Sequence, residues 1–316
     1  MNLNLNLTLT SDSIFNHPDF EKIVSQGNIT FKVASYETLV CEDFGIRKQI
    51  DFPVAAIESF KKKSDPSNFI LKATPCYFSL QKDHYRFEKN IENDILKIDL
   101  EDLCNKLNKN FSNNHQSFFV ESNKLFFQSS KNINIATYFP GEINQIEERK
   151  FLPYGQDALK WHSFINELQM FLYSDPVNKK REQNNQLPIN TIWFSGGGTF
   201  PEKIKSPLTG LAITNSNLIN KLSESTNTFK VQEFNSSAKN PFSNAQYIYY
   251  ELPYDDKKND ELLTAISSSF NNGIIKQLII RICIGHVCLL TEVTRLTKLK
   301  FWKREVSLIK LFNEYY

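Results

Sequence analysis

The residues best suited to recognising a ligand lie between Asn166 and Gly198. Asn166, Glu167 and Gln169 fall in one stretch and Asn178 and Arg181 in a second. Asn190 opens an apolar run that ends on Gly196, Gly197 and Gly198. Carboxamides both donate and accept, and a guanidinium forks onto a phosphate or a carboxylate. Glycine amides approach an anion closely because no Cβ intervenes. Gathered at one crevice, these groups would orient an anionic ligand. A second reading stays open: the same groups cap helix ends and tie two helices to a strand, since buried polar groups usually serve each other. The three glycines lack the lysine and spacing of a P-loop and the pattern of a dinucleotide fingerprint.

The elements that must position these groups follow from spacing. Gly155 breaks the chain, and Asp157 predicts the N-cap of a helix running to about Tyr173. At 100° per residue, Trp161, Phe164, Ile165, Leu168, Phe171 and Leu172 share one apolar face. His162, Asn166, Gln169 and Tyr173 form a stripe along one edge, with Glu167 on the other near Lys160. Asp175 caps a second, short helix with Pro176 at its first position. Asn178 and Arg181, three apart, share a side of it. Ile189 to Phe194 reads as a buried interior strand emptying into a tight turn at Ser195-Gly196-Gly197-Gly198. Trp161 and Trp193 are expected in the core.

Several of these residues resemble a known family. Asn166-Glu167-Leu168-Gln169-Met170, Asp175-Pro176-Val177-Asn178, Arg181, Asn190-Thr191-Ile192-Trp193, Gly196-Gly197-Gly198 and Pro201 look like RpfE-type bacterial regulatory proteins, often described as predicted phosphoglycerate mutases. The stretch from Pro176 to Gly198 is also similar to archaeal-type cofactor-independent phosphoglycerate mutases of the alkaline-phosphatase superfamily. Fainter patches lie at Glu42–Gly45, Phe52–Ala55, Thr74–Tyr77 and Phe301–Arg304. The resemblance implies a mixed α/β fold, a degenerate alkaline-phosphatase-like core with a mixed sheet flanked by helices. The core would take 1–66 and 151–316, with a smaller α+β lobe at 67–150.

A working mutase of that type needs two divalent metals held by clustered Asp and His, and a serine nucleophile between them. Of His17, His84, His115, His162 and His286, only His84 adjoins an acid, Asp83. Asp12 follows the first strand, where the superfamily places a metal ligand, but no glycine follows it and no second acid is near. The expectation is therefore a non-catalytic ligand-binding or regulatory protein without a cofactor. It would recognise a phosphorylated metabolite or a protein partner. The alternative is a mutase using Mn²⁺ or another divalent metal through ligands the pattern does not announce.

Composition narrows the field further. Hydrophobic residues make up 41% and charged residues 23% of 316 positions, as in soluble globular proteins. A net charge of +2 argues against a dedicated nucleic-acid binder. The run Lys61-Lys62-Lys63 reads as a solvated helix end. Cys41, Cys76, Cys104, Cys283 and Cys288 form no CxxC, which predicts buried thiols in a reducing compartment. The apolar stretch from Gly273 to Leu290 contains Lys276, Gln277, Arg281 and His286, so it does not predict a membrane span. With no signal-peptide pattern at the start, a cytoplasmic location is expected.

Elsewhere, Leu3, Leu5, Leu7 and Leu9 alternate with polar residues as a strand does. Helices are predicted at 18–26, 39–45, 54–62, 100–111, 216–223 and 260–270, and around Leu308 and Leu311 with Phe301 and Trp302. Strands are predicted at 29–33, 69–80, 84–87, 95–98, within 118–127, and at 210–214, 230–234, 246–252, 278–284 and 287–294. Gly285-His286 marks a terminal hairpin, and 210–234 a strand–helix–strand unit.

Overall fold

The computed structural model describes residues 1–9, 17–60, 65–81, 85–143, 148–226, 229–238, 241–242, 244–252, 257–297 and 306–315. In chain order the first elements are β1 (Asn2–Leu9), α1 (Pro18–Gln26), β2 (Thr30–Val33), α2 (Tyr36–Asp43) and α3 (Val54–Glu58). Next come β3 (Phe69–Leu80), β4 (Tyr85–Asn90), α4 (Lys97–Phe111), β5 (Gln116–Glu121), β6 (Lys124–Ser129), α5 (Ala158–Tyr173) and α6 (Pro176–Gln183). They are followed by β7 (Thr191–Gly198), β8 (Gly210–Thr214), α7 (Asn217–Glu224), β9 (Phe229–Gln232) and β10 (Ala245–Leu252). The chain closes with α8 (Lys257–Asn271), β11 (Gln277–Ile284), β12 (Val287–Thr294) and α9 (Leu308–Tyr315). The fold is mixed α/β, with two compact units: Met1–Gly45 with Lys205–Tyr316, and Ile46–Ile204.

The first unit is built on a seven-stranded mixed sheet of order β2-β12-β11-β1-β10-β8-β9. β1 sits inside it, parallel to both β10 and β11. Its alternation has a direct consequence. Leu3, Leu5, Leu7 and Leu9 join a core with Phe20, Ile23 and Val24 of α1 and Leu262, Leu263, Ile266 and Phe270 of α8. Asn4, Asn6 and Thr8 point to the opposite face, since side chains alternate along a strand. α1 begins at Pro18 with the His17 ring accepting from the Phe20 amide, 3.2 Å. β8 and β9 pair in parallel on either side of α7, as the strand–helix–strand reading expects. The terminal hairpin pairs β11 with β12. There Cys283 faces Cys288 in register and the two are joined as a disulfide, where free thiols were expected.

The second unit carries an antiparallel sheet of order β4-β3-β6-β5, with β7 also pairing β3. One face packs Leu71, Ala73, Phe127 and Phe194 against Leu100, Leu103 and Leu107 of α4 and Trp161, Ile165 and Leu168 of α5. On the other face Ala55 and Ala56 of α3 meet Ile70 and Phe126. β5 and β6 join through Ser122 and Asn123, both at positive φ (49° and 58°), as a two-residue hairpin of matching twist requires. Trp161 and Trp193 are both buried.

Two expectations are corrected here. Residues 95–98 form no strand: Ile95 and Leu96 lead into α4, which begins at Lys97. Leu96 and Ile98 are exposed, while Leu100, Leu103, Cys104 and Leu107 take the core at helical spacing. The glycines after Phe194 are not a turn. β7 runs through Gly198, which pairs with Ile70 of β3. β7 is buried along its whole length, yet among the described residues it pairs on one side only. Phe301 and Trp302 lie outside the described residues, as do Lys61, Lys62 and Lys63.

Candidate functional site

The structure spends most of the polar groups between Asn166 and Gly198 on the chain itself. Asn178 is buried at the start of α6, and its amide donates to the carbonyls of Leu172 (2.9 Å) and Ile189 (2.8 Å). Its oxygen accepts the Ile189 amide at 2.7 Å. The end of α5, α6 and the approach to β7 are thereby pinned by one side chain. Arg181, also buried, donates from Nε to the Leu187 carbonyl (2.7 Å) and from an η nitrogen to the Asp94 carbonyl (3.2 Å). Burial depresses its pKa, against the opposing charges of Asp94 and Asp99. Asn190 bonds both backbone groups of Phe78, and Gln169 donates to the Thr191 hydroxyl at 3.2 Å. Asn166 and Glu167 are exposed on the outer face of α5. Asp157 is the N-cap residue of α5, but its carboxylate accepts the Asn134 amide and meets Lys160 instead of capping.

One of the glycine amides, that of Gly197, does approach an anion, and it belongs to this chain. Asp51 accepts from both the amide and the hydroxyl of Thr137, and the Gly197 amide also supports its carboxylate. The Gly196 amide donates to the same Thr137 hydroxyl at 3.1 Å. Burial pushes the Asp51 carboxyl above the usual carboxylate range, with the Thr137 hydrogen bonds opposing. Close approach explains the glycines. A Cβ on Gly197 would lie 2.8 Å from Leu71 Cδ2, and one on Gly198 2.7 Å from Pro53 Cβ. Gly196 has φ +63°, a left-handed conformation that favours glycine.

Three further polar constellations escaped the reading of the sequence. On the α3 face of the second unit, Lys72 of β3 reaches Glu92 (3.1 Å) and Glu58 (3.9 Å), and Lys124 reaches Glu58 (3.0 Å). Both glutamates are buried, and Ser195 pairs with Lys72 across the strands. In the first unit, Asp43 accepts the Tyr249 hydroxyl (2.8 Å) and takes both η nitrogens of Arg281 in a fork. Burial alone would lower the Arg281 pKa, but Asp43 holds it above its ordinary value. Buried Asn6 pairs with both Tyr249 and Arg281 in the sheet. A readable signal existed in each case: one cation inside an apolar strand, as in Phe-Ile-Leu-Lys72-Ala and Leu-Ile-Ile-Arg281-Ile.

The third constellation is open. A cleft of about 350 Å³ lies at the carboxyl ends of the parallel strands β8, β9 and β10. Thr214, Asn215, Asn220, Gln232, Glu233 and Lys258 line it with hydroxyl, carboxamide and charged groups. Asn215 is locked to the Glu251 backbone, donating to its carbonyl (2.7 Å) and accepting its amide (2.8 Å). Ser216, the N-cap residue of α7, makes no side-chain cap bond.

The donor sets of a two-metal site are not assembled among the described residues, where no group of three or more His, Cys, Asp and Glu could hold a metal. His17 meets Thr264 and Asp260, His115 meets Ser130, and His162 bonds the Pro153 carbonyl. Asp12, Asp83 and His84 lie outside the described residues. No helix among the described residues is long and apolar enough to cross a membrane.

No protein-family model matches the sequence. Comparison with curated proteins also gives no match. Among solved structures, the chain is similar to a cofactor-independent phosphoglycerate mutase from Thermoplasma acidophilum DSM 1728. The two are 13% identical over 98% of this chain and 94% of that one, with a TM-score of 0.42. It is also similar to the PH0037 protein from Pyrococcus horikoshii, 12% identical over 97% and 91% of the two chains, with a TM-score of 0.45.

Proposed function

We propose that this chain is a non-catalytic ligand-binding or regulatory protein that recognises a phosphorylated small molecule in the cleft at the ends of β8, β9 and β10. The observation that carries the reading is the position and lining of that cleft. Open α/β sheets bind ligands beyond the carboxyl ends of their parallel strands. Here that end presents Lys258 beside Asn220 and Thr214. A phosphate gains from the cation, while carboxamides orient its other groups. The kinship with RpfE-type proteins and phosphoglycerate mutases rests on the residues from Asn166 to Pro201 quoted above, whose polar groups serve mainly as a structural clamp. The proposed binding surface therefore moves from that segment to the first unit.

Thermal melts with 3-phosphoglycerate and with inorganic phosphate test this. The ligand should raise the melting temperature of the wild type, and Lys258→Ala and Asn220→Ala should remove the rise while keeping the ligand-free melt. Absence of any stabilisation overturns the binding reading. Mutase turnover in Mn²⁺ by the purified chain overturns the non-catalytic one.

A further inference from the structure

Helix α5 is apolar on two opposite sides. Trp161, Ile165, Leu168 and Leu172 face the core of the second unit, as amphipathic packing requires. The outer side carries Leu159, Met170 and Tyr173, exposed by 81%, 77% and 88%. With exposed Ser163 and Asn166 they form a single line, Leu159-Ser163-Asn166-Met170-Tyr173, whose steps alternate between four and three residues. That alternation is the seam of a coiled coil: at 100° per residue all five lie within roughly 40° of one direction. A surface helix with one core to face needs only one such stripe.

We infer that this stripe is a self-association surface on which α5 of a second copy packs antiparallel. Charge selects the occupant and its direction. Lys160 and Glu167, opposite in sign and seven residues apart, stand on the same flank of the seam and are both exposed. In an antiparallel pair of identical helices, like flanks meet. Lys160 of each copy then comes beside Glu167 of the other, twice over, about a two-fold axis. A parallel pair would set this flank against His162 and Gln169, whose polar atoms already bond the Pro153 carbonyl and the Thr191 hydroxyl.

The layers match in the same register. Leu159 packs against Met170 of the second copy at both ends. Ser163 meets Asn166 of the second copy at the centre, where a polar pair fixes register at some cost in affinity. Lys160 also meets Asp157 of its own chain at 3.3 Å, which holds it on this flank. The exposure of Asn166 and Glu167 gains a role here that ligand binding did not supply.

Sedimentation velocity of the full chain over a concentration series up to ~0.1 mM reads the association. The wild type should show a monomer–dimer equilibrium, and Met170→Glu should leave monomer only. Lys160→Glu and Glu167→Lys should each raise the dimer Kd by about tenfold, and the double exchange should restore it. All these side chains are exposed, and circular-dichroism melts of each variant check that the fold survives. In a Leu159→Cys, Met170→Cys double variant, mild oxidation should give disulfide-linked dimers, while Leu159→Cys alone should not. A wild type that stays monomeric throughout overturns the inference. So does a dimer indifferent to Met170→Glu, or charge variants that the exchange fails to rescue.

Discussion

The Asn190 side chain pairs with the backbone of Phe78 as a neighbouring strand would. Its amide donates to the Phe78 carbonyl at 2.7 Å, and its oxygen accepts the Phe78 amide at 2.9 Å. The Asn190 backbone amide meanwhile donates to the Cys76 carbonyl at 3.2 Å, so the residue extends the β3–β7 ladder beyond its last register pair, Cys76 with Thr191. Asn190→Leu should therefore leave two backbone groups of Phe78 without partners. A loss of about 2–4 kcal/mol in urea melts is expected. A loss under ~0.5 kcal/mol would show that water replaces the side chain freely.

Arg181 tests the clamp directly. Both of its observed hydrogen bonds end on carbonyls of its own chain, so Arg181→Ala should destabilise the fold by about 2–4 kcal/mol. The rise in melting temperature with added phosphate should match that of the wild type, because the proposed cleft lies in the first unit. An unchanged melt together with lost anion stabilisation would return Arg181 to the binding site expected from the sequence.

What the sequence showed and what it hid differ by range. Local patterns located β1 through its alternating leucines, α1 through Pro18 and Gly27, and the β11–β12 hairpin through Gly285-His286, because each signal lies within a few residues of what it specifies. The pairing of β7 with β3 joins residues more than a hundred positions apart, and nothing in Ile192-Trp193-Phe194 names its partner. The role of Arg181 stayed open for another reason: its acceptors are backbone carbonyls, at Leu187 and Asp94, and no side-chain pattern marks a carbonyl as an acceptor. Asp51 went unnoticed because its donors come from Thr137 and Gly197, on separate segments.

Asp51 predicts a pH dependence of definite sign. Burial raises its folded-state pKa above the unfolded value, so between the two values the folded chain binds more protons than the unfolded one. Stability should then fall as pH rises from the ordinary aspartate range through the raised folded value, and stay level beyond it. Asp51→Asn should flatten this component in melts taken across weakly acidic pH. An unchanged slope would mean that other carboxyls set it.

Thiol titration checks the cysteine assignment. Cys41, Cys76 and Cys104 are free and buried, while Cys283 and Cys288 are joined. Burial raises the Cys76 thiol well above its ordinary value and pushes Cys104 up to about 11. Native protein should react slowly with a thiol reagent at neutral pH, because little thiolate is present. Unfolded without reductant, it should titrate the three free thiols. Release of five under those conditions would place Cys283 and Cys288 among the thiols.

The glycines of β7 separate packing from ligand approach. At Gly197 an added methyl would press on Leu71 Cδ2 at 2.8 Å and Phe69 Cζ at 2.9 Å. Leu71 and Phe69 sit in the packed core of the second unit, so neither swings aside cheaply. Gly197→Ala should cost about 1–3 kcal/mol by overpacking. Gly141 is the internal control, since a Cβ there would meet nothing within 4 Å. Gly141→Ala should be neutral or slightly stabilising, through the reduced freedom of the unfolded chain. If the glycine stretch existed to admit a ligand, Gly197→Ala would leave the ligand-free melt intact and weaken only the response to added phosphate. Melts of both variants, each with and without phosphate, separate the two roles, and a Gly197→Ala protein as stable as the Gly141→Ala one would rule out the packing account.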